Sequence, residues 1–362
     1  MPRQCGFDGT ETDVTYFRDN IQAMSPYVPG EQPPPGAAVI KLNTNENPYP
    51  PSPAALRALR ELDGEQLRRY PHPYAESFRQ VVGKVLGVPA GWVMPGNGSD
   101  DLLTMIFRAC VEPGRKVVYP MPTYVLYRTL ARIQNAPAVE VPFDEDYQLP
   151  VDALAGAGGA VTLVASPNSP SGTGFSIELL EELAARVAGL LVIDEAYADF
   201  ADSTALELAK CCRNVIVLRT LSKGYSLAGL RLGFGVANRA LLAGLDKVKD
   251  SYNVDAVACA VGAAAFADQA WKTANARKVQ ASRAHLAADL AGLDYRVWPS
   301  QANFLLVRPP RGDAAEVYQT LKAQGILVRY FQEPRLDDKL RITVGTDEQN
   351  AALVAAMENP IT

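Results

Sequence analysis

One lysine, one carboxylate and one glycine-bearing loop carry most of the chemistry that this sequence offers. Lys223 lies in Thr220-Leu221-Ser222-Lys223-Gly224-Tyr225-Ser226, just past the apolar run Val215-Ile216-Val217-Leu218. An amine among small and hydroxyl-bearing neighbours at a strand end is placed to lose its water, which lowers its pKa and frees the nucleophilic form. Asp194, in Ile193-Asp194-Glu195-Ala196-Tyr197, ends the apolar run Leu190-Leu191-Val192-Ile193 one strand-helix-strand repeat earlier, so the two groups can occupy adjacent strand ends. A buried carboxylate there needs a cationic partner or takes up a proton; an acid that merely caps the next helix has the same local signature. Pro95-Gly96-Asn97-Gly98-Ser99-Asp100-Asp101 opens the helical stretch LLTMIFRACV. Its glycines permit a tight turn, and the free N–H groups and positive dipole end of the helix favour an anion, although a plain capped turn reads alike.

Each feature alone has an ordinary structural reading, but the set asks for one chemistry. An amine nucleophile, a buried carboxylate and an anion cradle are what pyridoxal 5'-phosphate requires: the lysine forms an imine, the carboxylate keeps the ring nitrogen protonated, and the loop holds the phosphate. A nicotinamide dehydrogenase shares the parallel sheet and glycine loop. It requires GxGxxG in the first strand-to-helix turn, and here Gly96-Asn97-Gly98 runs on to Asp101 rather than glycine. Of the two histidines, His72 sits between prolines in YPHPY and His285 in a charged helical stretch, so neither a metal site nor a Ser/His/Asp triad is expected.

These residues need a frame. Lys116–Tyr119, Val161–Ala165, Leu190–Ile193 and Val215–Leu218 are short β-rich apolar runs alternating with helical stretches between about Val93 and Ala237. Residues 176–188 place apolar side chains at i, i+3 and i+4 behind Ser176 as N-cap, which predicts a helix. Continuous apolar strands separated by helices predict an α/β fold with a mostly parallel sheet covered on both faces. Ala153–Ala160 reads as a surface loop. Ala-rich sequence after Asp255 predicts one long helix to about Leu290, followed by β-α-β-β order (295–307, 314–324, 326–328, 340–344), which is a smaller α+β C-terminal domain. Residues 1–36, ending in Glu31-Gln32-Pro33-Pro34-Pro35-Gly36, read as an extended arm. The expected division is an arm at 1–40, a large domain at 41–285, and a small domain at 286–362 packed with the N-terminal segment.

The 362 residues allow two or three domains. Hydrophobic residues at 48% and charged residues at 21% describe an ordinary globular chain, and a net charge of -5 offers no basic surplus for nucleic acid. No apolar run approaches the roughly 20 residues of a membrane span, and no apolar stretch follows Arg3 to make a secretory signal. The expectation is a cytosolic protein acting on small molecules, with five reduced cysteines serving mostly as buried packing.

TLSKGYSLAGLRLGF, with SPNSPSG and IDEAY before it and LRITVGT after it, resembles the fold-type-I pyridoxal-phosphate aminotransferases, most closely the histidinol-phosphate aminotransferases. The resemblance covers nearly the whole chain, from Leu42-Asn43-Thr44-Asn45-Glu46-Asn47-Pro48 to Arg341. It implies a three-layer large domain and a homodimer with shared sites. Lys223 would carry the internal aldimine and then move the substrate α-proton; Asp194 would pair with the ring nitrogen, Tyr197 with the ring hydroxyl, and Tyr124 would stack on the ring. Gly98, Ser99 and Asp100, with Thr220, Ser222 and Arg231, would hold the phosphate, joined by Tyr70 from the neighbouring subunit. Tyr27, Asn45, Asn47, Tyr70, Arg329 and Arg341 would meet the substrates, histidinol phosphate and glutamate or 2-oxoglutarate. Where the family has Asn before the Pro of its PTG turn this chain has Ser169, preceded by Asn168; the expectation is that Asn168 or Tyr197 supplies most of the contact to the ring hydroxyl and that Ser169 adds little. A broad aromatic aminotransferase and a threonine-phosphate decarboxylase share this fold. A regulator built on it would need a fused DNA-binding segment, for which residues 1–36 are too few.

Overall fold

The computed structural model describes residues 16–26, 30–34 and 36–358. Its centre is a seven-stranded sheet in the order Val93–Gly96, Gly233–Val236, Val215–Thr220, Leu190–Asp194, Val161–Ala165, Val117–Met121 and Ala138–Pro142. The last five are mutually parallel, and Gly233–Val236 runs antiparallel to both its neighbours. Every residue of Val161–Ala165 and Leu190–Asp194 is buried, because helices cover both faces. Side chains alternate between two cores: Leu191, Ile193 and Val164 face one, Leu190, Val192 and Leu163 the other. Register sets Asp194 between Ala165 and Leu218, so the carboxyl ends of the strands open at one edge. The predicted crossover helix spans Ile177–Arg186, with Ser176 Oγ accepting from the Leu179 amide at 3.3 Å. No helix among the described residues is long and apolar enough to cross a membrane.

A second sheet is antiparallel, in the order Arg329–Tyr330, Leu340–Thr343, Phe304–Arg308 and Arg296–Val297, flanked by the helices Ala314–Ala323 and Asp347–Glu358. Ile40–Lys41 pairs in parallel with Ile326–Leu327, and Leu42 enters the core of this unit with Leu305, Leu340 and Leu353. We propose the domain division at 285/286 on this basis. The helix Gln269–Gly292 runs through that point: Ala276 and Val279 pack with Phe200 and Val344, whereas Leu286 and Leu290 belong to the small core.

Four expectations are corrected. The single long helix is two, Ala256–Ala267 and Gln269–Gly292, because the Asp268 carboxylate accepts from the Trp271 amide and caps a new start. Half of the expected loop at 153–160 belongs to the helix Val151–Gly156, whose Val151 and Leu154 are buried one turn apart. The arm is not extended throughout, since Asp19–Gln22 makes one helical turn whose Asn20 donates to the Arg132 carbonyl at 2.7 Å. Of the four described cysteines, all free, only Cys259 is buried and Cys211 is exposed.

Candidate active site

At the carboxyl edge of the large sheet a cavity of about 290 Å³ is lined by Ser99, Asp100, Tyr124, Ser169, Asp194, Tyr197, Thr220, Ser222, Lys223, Arg231, Asn45, Arg329 and Arg341, all singled out from the sequence. Gly30, Asn43, Thr44 and Glu46 line it as well; they come from the N-terminal segment. Their proximity depends on the pairing of Ile40–Lys41 with the small domain, which residue type does not announce.

Lys223 follows the strand Val215–Thr220, and its Nζ donates to the Thr44 carbonyl at 3.2 Å. Its pKa is lowered: burial dominates, the Tyr197 phenol works against it, and the Arg341 and Arg231 charges add to the lowering. The backbone on either side is fastened. Asn47 Nδ2 donates to the Lys223 carbonyl at 3.0 Å, and a Cβ on Gly224 would run into the Asp199 carboxylate, itself facing Lys272 at 3.4 Å. Asn47, expected against substrate, is therefore turned to the lysine's backbone and does not line the cavity.

Asp194 is 4% exposed. Its Oδ2 accepts from Tyr127 Oη at 2.9 Å and its Oδ1 from the Ala196 amide at 3.2 Å. Burial pushes the carboxyl up to about 6, against the pull of Tyr127. No lysine, arginine or histidine among the described residues pairs with it, so a buried anion faces the cavity without a counter-charge. The sequence reading does not single out Tyr127, which stands in the first turn of the helix Leu126–Ile133, three residues after the non-helical Tyr124.

The helix Ser99–Cys110 begins at Gly98 (φ +81°) with no side chain capping its first amides. A Cβ on Gly98 would lie 2.7 Å from Arg231 Nη2, so glycine lets the guanidinium close over the loop. Arg231 reaches Asp100 at 3.3 Å and Ser222 Oγ at 3.4 Å, and Thr220 Oγ1 donates to Ser222 Oγ at 3.0 Å. Asp101 secures the loop from behind, accepting from the Asn97 amide and from Asn253 Nδ2, each at 3.0 Å. Tyr124 Oη donates to Asp100 at 3.1 Å.

Arg329 and Arg341 are register partners on neighbouring antiparallel strands, so both side chains leave the same face of the small sheet. Two cations placed opposite each other repel unless an anion joins them. Arg341 donates to Ser169 Oγ at 3.1 Å and to the Asn43 carbonyl at 3.0 Å. Asn45 Nδ2 donates to Tyr197 Oη at 2.9 Å, and Tyr197 packs edge-on against Phe304.

Besides Asn47, two expected residues, Asn168 and Tyr70, lie outside the cavity. Asn168 is fully buried and spent on its own turn: its Oδ1 accepts from Thr123 Oγ1 at 2.7 Å, and its Nδ2 donates to Ser171 Oγ at 2.9 Å and to the Pro122 carbonyl at 3.2 Å. Ser169 alone of that pair faces the cavity. Tyr70 is 81% exposed and stacks on Tyr252 at 4.5 Å between ring centroids, outside the cavity of its own chain. Tyr27 lies outside the described residues.

The residues present fit pyridoxal 5'-phosphate. A protonated ring nitrogen is the cation that Asp194 lacks, the uncapped amides beside Arg231 suit a phosphate, and the Lys223 amine lines the same cavity.

Residues 37–357 match the family model for aminotransferase class I and II. The chain is 61% identical over 346 residues to histidinol-phosphate aminotransferase 1 of Trichormus variabilis, covering 96% of this chain and 99% of that one. It is 45% identical to the histidinol-phosphate aminotransferase of Geobacter sulfurreducens, covering 94% and 98%. Among solved structures, the histidinol-phosphate aminotransferase of Sinorhizobium meliloti in complex with pyridoxal-5'-phosphate superposes with a TM-score of 0.88 at 26% identity, over 97% of this chain and 98% of that one.

Proposed function

Because the chain belongs to the class I and II aminotransferases, and within them to the histidinol-phosphate aminotransferases, we propose that it moves an amino group between L-histidinol phosphate and 2-oxoglutarate or glutamate with pyridoxal 5'-phosphate as cofactor, in histidine biosynthesis. The observation that carries the reading is one cavity holding a pKa-lowered lysine, a buried carboxylate without a cation and a register pair of arginines. The cofactor, when bound, supplies an aldehyde for the amino nitrogen and a ring that accepts the electrons of the broken Cα–H bond. The rest falls to this chain. Lys223 Nζ takes the proton from the substrate α-carbon, and its lowered pKa leaves more of it neutral for that task. Asp194 would hold the ring nitrogen; the first amides of Ser99–Cys110, with Thr220, Ser222 and Arg231, would hold the phosphate; and Tyr124 would pack against the ring. Arg329 and Arg341 grip the anionic end of either substrate, beside Asn45. Single-turnover absorbance with histidinol phosphate, phenylalanine and glutamate tests the reading: histidinol phosphate and glutamate should convert the loaded enzyme, and a preference for phenylalanine would replace it.

Ser169 and Tyr197 are suited to donate to the ring hydroxyl. Each hydroxyl oxygen already accepts a hydrogen bond, from Arg341 and Asn45 respectively, which leaves its own proton to give. Such donors favour the ionised hydroxyl, so Ser169→Ala should raise the pH midpoint of the loaded enzyme's visible absorbance by up to about one unit. Asn168→Ala should leave that midpoint in place but cost about 1–3 kcal/mol of stability, read as a lower Tm, by stranding Thr123 and Ser171. The reverse pattern would return the ring contact to Asn168.

The reading includes a cytosolic homodimer. Leu56, Leu59, Leu67, Tyr70 and Tyr252 are all exposed, which is the composition of a surface that a second copy covers. Tyr70 then reaches the phosphate of the partner's site. Mixing Lys223→Ala protein with Tyr70→Phe protein under subunit exchange builds one intact site per mixed dimer, so activity should exceed both parents. No gain in verified mixed dimers would place Tyr70 outside the site.

A further inference from the structure

The Asp194 carboxylate has two oxygens and one task, so something must decide which oxygen meets the ring nitrogen and keep the group ionised in a buried place. Oδ1 is taken on one side by the Ala196 amide and Oδ2 by Tyr127 Oη. Tyr127, in the helix Leu126–Ile133, is 0% exposed, and its ring is wedged between Tyr119 at 5.9 Å and Tyr124, edge-on, at 5.7 Å. Its hydroxyl therefore has one orientation. Burial first, and then the Asp194 charge, raise the phenol's pKa well above its ordinary value, so Tyr127 stays a donor at every working pH.

We propose that Tyr127 is a positioning residue for the reaction, holding Asp194 ionised and turned so that its remaining lone pairs face the ring nitrogen. The inference rests on the pyridoxal 5'-phosphate reading and deepens it. The other charged and titratable groups around Asp194 do not replace this role. The Asp100 and Glu195 carboxylates oppose ionisation, and each is engaged elsewhere, with Arg231 at 3.3 Å and Arg219 at 2.7 Å. Tyr124 gives its proton to Asp100, Tyr197 is bonded by Asn45, and Lys223 donates to Thr44. Tyr127 is thus the one side chain among the described residues that donates to this carboxylate.

Tyr127→Phe keeps the wedged ring and removes the hydroxyl. The probe is pyridoxine 5'-phosphate, which has the ring nitrogen and phosphate but no aldehyde, titrated by ring fluorescence into cofactor-stripped protein across the acid and neutral range. A ligand that needs an ionised Asp194 loses affinity as pH falls through that group's titration, and removing a donor to the ionised form moves the titration upward. The variant should bind about 10-fold more weakly near neutrality, and its acid-side loss should begin about one pH unit higher than in the wild type. In an Asp194→Asn background, itself weak-binding, Tyr127→Phe should add less than about a two-fold effect. A uniform loss at all pH values, additive with Asp194→Asn, would make Tyr127 a packing residue and overturn the proposal. Failure of Asp194→Asn to weaken the probe would overturn the reading of the cofactor site together with it, whereas a normal Asp194→Asn loss with an unmoved Tyr127→Phe midpoint would overturn the role of Tyr127 alone.

Discussion

Lys223→Ala should fall by about three or more orders of magnitude in single-turnover conversion of histidinol phosphate, because a covalent anchor and a general base leave together. The surrounding structure argues that the loss is chemical and not a collapse. The Lys223 side chain makes one hydrogen bond, to the Thr44 carbonyl, while its loop is held through main-chain atoms by Asn47 and by the packing of Gly224 on Asp199. The alanine variant should therefore keep its Tm within a few degrees. Lys223→Arg should be nearly as inactive, since a guanidinium stays charged and cannot take a proton. Borohydride reduction of the loaded wild type, followed by peptide mapping, should place the reduced cofactor on Lys223. A label on another lysine, or an alanine variant that turns over at an appreciable rate, would end this assignment.

Lys223 and Asp194 were legible in the sequence for the same physical reason. Asp194 ends, and Lys223 lies just past, an apolar run long enough to be a buried strand, and parallel strands bring such ends to one edge. The strands themselves were legible because burial on both faces removes alternation. What surrounds the two groups was less so. Tyr127 and Asp194 stand 67 residues apart, and Asn47 and Lys223 176 apart; neither pairing leaves a local pattern, since it follows from how the helices and the N-terminal segment pack. The longer reach of an amide favours Asn168 over Ser169, but Asn168 is spent on its own turn and Ser169 lines the cavity, a choice that only the fold decides. Asp268 was passed over within an Ala-rich run: helix propensity continues through it, and the cap that divides the run depends on one side-chain hydrogen bond.

The arginine pair sets the last expectation, a strong preference for a phosphorylated donor. Arg329 and Arg341 face each other in register, and Arg329 pairs with no carboxylate among the described residues while stacking over Phe331 at 5.3 Å. Arg341 is preset by Ser169 and by the Asn43 carbonyl, which aims its guanidinium before any substrate arrives. A doubly charged phosphate held by two such forks gains about 2–4 kcal/mol over a neutral hydroxyl, or about 30- to 1000-fold in kcat/KM for histidinol phosphate over histidinol. Arg329→Gln should reduce that ratio about 10-fold or more. Arg341→Lys should do the same while keeping the charge, because an ammonium cannot make the bidentate contact. The ratio is the measurement to trust, since glutamate uses the same arginines and its half-reaction will slow as well. Equal rates with and without the phosphate in the wild type would give this cavity to an aromatic amino acid instead, with the arginine pair serving only the carboxylate.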